Sequence, residues 1–313
     1  MNRCALVTGA GGFVGTRLTR HLEAQGWSVV RSGYPAVEGM LPCDFQEAEA
    51  VRALVAGAGE VTHVFHLAAI AFVPDAERDP VRAMDVNLNG TIRLCSALRE
   101  FSSPPRLVFI GSSEIYGPPL SLPMTEDHPV SPANVYAISK AAADQYCAHL
   151  SRTHALDIVR MRPFNHAGPG QSDSYVLSSF ARQIAEIEEG LRPPVLETGN
   201  LEAARDFLHV DDVLRAYEAA ALHVPSGGAF NVCSGQSHRI QFALDQLLAL
   251  SKVAIEVRHD PARMRPSDVP DVYGSAAKLN AMTGWRPEIS FDTLLVDLLD
   301  YWRAAVLAQT ESA

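Results

Sequence analysis

The sequence has no apolar run approaching the roughly 18 residues that a membrane-crossing helix needs, so no membrane partner is expected. It has no cluster of lysine and arginine. Its 313 residues carry a formal net charge of −10, which argues against a duplex-binding face, and no nucleic-acid partner is expected. It has no CxxC pair. The five cysteines, Cys4, Cys43, Cys95, Cys147 and Cys233, are scattered and odd in number. That argues against a disulfide framework and a structural zinc site, and for a reducing, cytoplasmic setting. His63, His128, His209 and His238 form no metal-ligand spacing, and no metal site is expected. No internal repeat, low-complexity tract or linker-like stretch stands out. The N-terminus is not expected to be a signal peptide, because the apolar run Cys4 to Thr8 is short and glycines follow it at once.

What is present is ordinary for a folded chain: 47% apolar and 20% charged residues. The length fits one large α/β domain or two modest domains sharing a core. Arg3 to Thr8 reads as a buried first strand. A helical pattern follows from about Phe13 to Gln25, with Val14, Leu18 and Leu22 on one face and Gly26 at its end. Ser28 to Arg31, Val61 to Leu67 and Arg106 to Ile110 read as further strands, with helical stretches near Gln46 to Ala56 and Pro80 to Arg99. Continuous apolar strands alternating with amphipathic helices predict a doubly wound, Rossmann-type parallel sheet covered on both faces.

Gly9, Gly12 and Gly15 fall between the first strand and the first helix. That spacing suits a tight turn, a close approach of backbone to a pyrophosphate, and a close helix-to-strand contact. An acidic residue for the adenosine ribose would fall near Gly33, where there is none, and Arg31 is close by. A missing carboxylate beside a guanidinium points to a 2′-phosphate, hence NADP(H) over NAD(H), although Arg31 could equally be a solvated loop residue.

Tyr136 and Lys140 form Y-A-I-S-K, an i,i+4 spacing that puts both side chains on one helix face. An ammonium beside a phenol favours phenolate, so the tyrosine can exchange a proton with a carbonyl or alcohol. Ser112 lies just beyond the strand ending at Ile110, where ligands of open α/β sheets bind, and can hydrogen-bond the same oxygen. The helix from about Asn134 to Thr153 carries Ala137, Ala141, Ala142 and Ala143, small residues that suit either a homodimer face or packing within one chain.

G-A-G-G-F-V-G, Asp44 in C-D-F, H-L-A-A from His66 to Ala69, V-N-L-N-G-T, S-S-E-I-Y-G and Y-A-I-S-K together resemble the extended short-chain dehydrogenase/reductase family of nucleotide-sugar enzymes. So do M-R-P-F-N-H-A-G-P-G-Q, R-D-F-L-H-V-D-D-V, F-N-V-C-S-G, R-P-S-D-V and T-G-W-R-P, so the resemblance covers essentially the whole chain. It implies a Rossmann region over 1–165 with a later return near 205–235, and a smaller, discontinuous C-terminal region over 166–313 that binds the nucleotide sugar.

F-N-H, with His166, resembles the branch acting on GDP-hexoses. The implied activity is NAD(P)H-dependent reduction of the C4 keto group of a GDP-4-keto-6-deoxyhexose, GDP-4-keto-6-deoxy-D-mannose to GDP-D-rhamnose being the expected case. The short span between the second and third strands and the absence of G-Q-D-G from the glycine loop fit a reductase better than a GDP-mannose 4,6-dehydratase. Glu114 cuts the other way, because it stands where dehydratases carry the glutamate that removes the C5 proton. Those dehydratases also want a threonine where Ser112 stands. Reduction or epimerisation of another nucleotide sugar, such as a GDP-heptose, is a further alternative. So is a catalytically silent dinucleotide sensor, which the intact Ser112, Tyr136 and Lys140 argue against.

The resemblance assigns catalysis to Ser112, Tyr136 and Lys140, with Glu114 as base or positioning group. It assigns the cofactor to Gly9, Gly12, Phe13, Val14 and Gly15, to Asp44 and Phe45, to Leu67, Ala68 and Ala69, and to Pro163 and His166. It assigns the GDP-sugar to Ser113, Asn165, Arg182, Arg205, Arg265 and Asp268. Each arginine has a bland reading as a solvated or ion-paired surface residue.

Overall fold

The computed structural model describes residues 3–153, 156–261 and 269–311. The chain begins β1 (Cys4–Thr8), α1 (Phe13–Ala24), β2 (Ser28–Gly33), β3 (Leu41–Pro42), α2 (Ala48–Gly57) and β4 (His63–His66). Two short helices, α3 (Val73–Arg78) and α4 (Pro80–Met84), lead through one π turn (Asp85–Asn89) into α5 (Gly90–Leu98). Then come β5 (Arg106–Ile110), a 3-10 turn (Ser113–Tyr116), α6 (Val135–Arg152) and β6 (Ile158–Pro163). The remainder is β7 (Asn165–Ala167), α7 (Val176–Glu188), β8 (Val195–Thr198), β9 (Ala204–His209), α8 (Val210–His223), β10 (Ala229–Val232), β11 (Ser237–Arg239), α9 (Ile240–Ala249), β12 (Glu256–His259), β13 (Asp271–Val272), α10 (Ala277–Thr283) and α11 (Phe291–Glu311).

Among the described residues, seven strands form one sheet in the order β10-β6-β5-β4-β1-β2-β3. Every pairing in it is parallel. The doubly wound arrangement expected from the sequence is therefore present. Strand alternation explains its two cores. Val7, Phe65, Val108 and Val159 meet Leu18 and Leu22 of α1 and Val213 and Tyr217 of α8 on one face. Leu6, Val64, Leu107 and Phe109 meet α2, α5 and α6 on the other through Leu54, Leu94, Leu98 and Leu150. The short β3, the separate α3 and the π turn carry no periodic signal in the sequence, being too brief to show one.

The strand order turns round at β1, which has β2 on one side and β4 on the other. Connections leaving in opposite directions there open a crevice at the carboxyl ends of the strands. At the other end, Pro163 closes β6 and the chain departs through Phe164, whose N–H bonds Val232 O at 2.8 Å. It then pairs β7 with β9 in a second, smaller sheet. That sheet lies near a separate core of α7, α9 and α11, including Phe180, Ile184, Leu247 and Leu298.

Helix α6 is tied to the main sheet by a buried ionic node. Asp144 accepts from Arg160 Nη1 at 2.7 Å and from Arg162 Nη2 at 2.9 Å and Nε at 3.1 Å. Arg162 also donates to the Tyr116 hydroxyl at 3.0 Å, and that hydroxyl donates to Asn231 Oδ1 at 2.6 Å. One carboxylate thus links α6, β6, the 3-10 turn and β10. Ala137, Ala141 and Ala143 are buried within this one chain, so its own packing uses most of the expected small-residue face. Asp144→Asn strips the charge from a fully buried site and leaves two guanidinium groups uncompensated. It is expected to cost about 3–5 kcal/mol, read from the denaturant midpoint; a loss below about 1 kcal/mol would mean that the node is dispensable.

Candidate active site

Gly9 leaves β1 with φ +69°, and a Cβ there would stand 2.9 Å from Ala68 N. The segment after β4 therefore lies directly against the glycine loop. Gly15 is tighter still: a Cβ there would stand 2.1 Å from Gly9 O and 2.8 Å from Ala10 Cα. Only glycine lets α1 start this close to the turn. Gly12 caps the helix with no side-chain acceptor. Phe13, Val14 and Gly15, whose first-turn N–H groups lie before the intrahelical ladder begins, line the crevice, an arrangement suited to an anion.

The crevice is a cleft of about 960 Å³. Gly33, Asp44 and Phe45 form its wall at the β2 and β3 end, and Leu67, Ala68 and Ala69 line it after β4. Ser112, Tyr136 and Lys140 stand together at its other end, with Pro163, Asn165 and His166 from the exit of β6. Glu114 lines it as well. A second cavity of about 400 Å³ adjoins it and shares Glu114 and Asn165, adding Ser113, Asn134 and Arg205.

Three elements hold the reactive groups. Ser112 caps the 3-10 turn, its Oγ accepting from Glu114 N at 3.2 Å. Asn134 caps α6, its Oδ1 accepting from Ala137 N at 2.8 Å, while its Nδ2 donates to Glu114 Oε2 at 3.3 Å. Lys140 is buried, and its Nζ donates to Ile110 O at 2.6 Å. Burial pulls its ammonium down to about 8, with Cys147 and Asp144 opposing that fall. Burial pushes the Tyr136 phenol well above its ordinary value; the Ser112 hydroxyl opposes the rise, and the charge of Glu114 adds to it. The direction is the reverse of the expectation that Lys140 would draw the phenol down: desolvation is the largest cause, and Lys140 is not among the groups that move it.

Two expected ligand residues are not brought into either cavity. Arg31 is held by Glu23 of α1 at 2.6 Å, on the flank where α1 covers β2. Arg182 pairs with Asp173 at 2.5 Å and with Glu186 at 2.7 Å, and lies over the Trp302 ring. Both are ion-paired at the protein's surface in this structure. Arg205 does reach the second cavity, and its Nη1 donates to Ala204 O at 2.7 Å and Val269 O at 3.1 Å. Arg265 and Asp268 lie outside the described residues. His66 is a bracing residue: its ring bonds Thr8 Oγ1 at 2.8 Å and Thr91 Oγ1 at 3.1 Å, and burial lowers its pKa to about 3.

Sequence reasoning missed Asn134, whose signal was its place as a helix-capping residue directly before V-Y-A-I-S-K. It also missed Met40, Tyr34 and Tyr175, which line the cleft from irregular segments that carry no motif.

Comparison with known proteins shows the family and the fold. Residues 5–233 match the model of the NAD dependent epimerase/dehydratase family. The chain is 37% identical to the GDP-6-deoxy-D-mannose reductase of Pseudomonas aeruginosa over 98% of its own length and 99% of that protein. It is 27% identical to a GDP-mannose 4,6-dehydratase of Sordaria araneosa, over 76% of this chain and 47% of that one. Among solved structures, RMD from Pseudomonas aeruginosa complexed with NADPH superposes with a TM-score of 0.88 and 36% identity, covering 97% of this chain and 100% of that one. The Thermus thermophilus UDP-glucose 4-epimerase complex with NAD gives a TM-score of 0.84 and 30% identity, covering 96% and 99%.

The two loop glycines make separable demands. Gly15→Ala is expected to lower stability by about 2–3 kcal/mol, because backbone must move to admit the methyl group. A Cβ at Gly12 finds its nearest neighbour at 3.4 Å, so Gly12→Ala should cost under about 1 kcal/mol. Thermal melts of the two variants check this; equal losses would contradict the packing described.

Proposed function

The chain belongs to the NAD dependent epimerase/dehydratase family, and on that premise we propose that it reduces the C4 keto group of a GDP-4-keto-6-deoxyhexose, GDP-4-keto-6-deoxy-D-mannose being the favoured substrate and GDP-D-rhamnose the product. The observation that carries the reading is the full-length similarity to a GDP-6-deoxy-D-mannose reductase. The site is consistent with it: Ser112, Tyr136 and Lys140 stand together in the cleft, burial raises the Tyr136 phenol, and reduction of a ketone needs a proton donor.

The cleft suits a nicotinamide dinucleotide: the glycine loop lines it where α1 begins, and a helix N-terminus suits a diphosphate. When bound, the reduced nicotinamide supplies hydride. Tyr136 gives its proton to the oxygen of the reduced carbonyl. Ser112 hydrogen-bonds that oxygen as charge develops, and the Lys140 ammonium offsets the charge left on the phenol. NADP(H) is favoured over NAD(H), because Gly33 places no carboxylate at the end of β2 to repel a 2′-phosphate. The region 1–165, with its return near 205–235, holds the cofactor. The region 166–313 holds the GDP-sugar through Asn165 at the junction and Arg205, with Arg265 and Asp268 assigned by resemblance.

Glu114 favours a second reading. It lines the same cleft as Tyr136 and matches the base of a 4,6-dehydratase. The two readings separate in one experiment: protein with GDP-4-keto-6-deoxymannose and NADPH, followed by nicotinamide absorbance, with GDP-mannose alone in parallel. Stoichiometric NADPH loss is expected. A keto sugar formed from GDP-mannose without NADPH loss would make the protein a lyase. Tyr136→Phe is expected to keep NADPH binding and lower turnover by at least about 100-fold; retained turnover would remove Tyr136 from the proton transfer.

The pH dependence follows from Lys140. Its ammonium is charged below about 8 and neutral above, whereas the phenol stays protonated well beyond that point. The profile of kcat/KM, which reports the free enzyme, is expected to fall as pH rises through about 8. A flat profile to pH values of about 9.5 would show that the ammonium is not required.

A further inference from the structure

The cleft is short of positive charge. Among its described lining residues the carboxylates are Asp44 and Glu114 and the cations are Lys140 and Arg82. Lys140 is buried with its Nζ engaged by Ile110 O. Arg82, on α4, is exposed. Its backbone N–H donates to Asp79 Oδ1 at 3.0 Å. Among the described residues, no carboxylate takes its guanidinium, whereas Arg78 and Arg93 nearby are paired with Asp75 and Asp85.

Its position is fixed by the π turn that follows. The Asn87 carboxamide accepts from Ile70 N at 2.8 Å and donates to Ile70 O at 3.1 Å, fastening this helical run to the segment after β4. That segment is the one lying against the glycine loop at Gly9 and Ala68. Arg82 and Val86, four residues apart, both face the cleft from this wall. The π turn is thus a local distortion beside a ligand wall, as such turns often are.

We propose that Arg82 is a phosphate-binding residue, its guanidinium closing over a phosphate of the dinucleotide that the glycine loop holds from the other side. This rests on the reading of the cleft as a dinucleotide site. The loop supplies N–H dipoles but no full charge, and a guanidinium fork is matched to two phosphate oxygens. The phosphate is either the bridging diphosphate, common to NADH and NADPH, or the 2′-phosphate of NADPH alone.

The test is titration of NADPH and NADH, without nucleotide sugar, into wild type, Arg82→Gln and Arg82→Lys, following nicotinamide fluorescence at two salt concentrations. Arg82→Gln is expected to weaken binding about tenfold, with a shallower salt dependence, and Arg82→Lys to recover part of the loss. Loss with both dinucleotides assigns the diphosphate; loss with NADPH alone assigns the 2′-phosphate. Wild-type affinity in Arg82→Gln for both overturns the proposal and leaves the functional reading standing. A wild-type protein that binds neither dinucleotide overturns both readings. The residue is exposed, so an unchanged melting midpoint is expected to accompany these effects.

Discussion

The reactive end of this protein depends on where α6 lies, and one carboxylate fixes that. Asp144 is fully buried and satisfied by two arginines of β6. It stands one helical turn after Lys140 and two after Tyr136, so the side chains that face the cleft inherit their position from it. The same node reaches Tyr116, at the end of the turn that Ser112 begins. Ser112 and Tyr136 are far apart in sequence and arrive from different elements. Their meeting is a consequence of the node, not of local propensity. A hydrophobic replacement could supply comparable stability, since buried ion pairs repay their desolvation poorly. What apolar packing would lack is direction: the fork of Arg162 holds α6 and the 3-10 turn at once.

Burial also sets the protonation of the site. It raises the Tyr136 phenol, lowers the Lys140 ammonium and keeps the His66 ring neutral. All three shifts share one largest cause, the cost of a charge away from water. The neutral forms this favours suit different tasks. A neutral imidazole can bridge two threonine hydroxyls and so brace β1 against α5. A protonated phenol can donate. The ammonium is the group left near its titration point, and so the one whose charge a bound anion or a change of pH most readily alters.

Much of this was legible in the sequence because the relevant physics is local. A left-handed turn at Gly9 and the close approach at Gly15 leave a glycine spacing, and a shared helix face leaves Y-A-I-S-K. Apolar strands alternating with helices leave the parallel sheet. The arginines were legible only as candidates. A guanidinium near a carboxylate in the fold is indistinguishable in sequence from one awaiting a ligand, and in this structure Arg31 and Arg182 are paired with carboxylates. Glu23 and Asp173 lie eight or nine residues from them, too far for a helix-face rule and too near for a domain argument, whereas Glu186, the second partner of Arg182, is four residues on along α7. The direction of the Tyr136 shift was illegible for a related reason, since desolvation depends on everything packed around a group rather than on its neighbours along the chain.

The two cavities meet at Glu114 and Asn165, and that junction follows from how the chain leaves the main sheet. Pro163 offers no N–H to extend a ladder, and Phe164 is buried where the backbone turns out of β6. The next three residues pair with β9 in the second sheet. Asn165 therefore stands where the two sheets part, and Asn134 brings Glu114 to the same place from the start of α6. On the proposed reading the reacting carbon lies at this junction, because only there do a proton donor from the first cavity and a sugar entering from the second come within reach of one another. Glu114 then has two physical effects. Its charge adds to the burial that raises the neighbouring phenol, and it opposes the burial that lowers Arg205 across the second cavity. A carboxylate in that place can serve a reductase electrostatically, without itself removing a proton from the substrate.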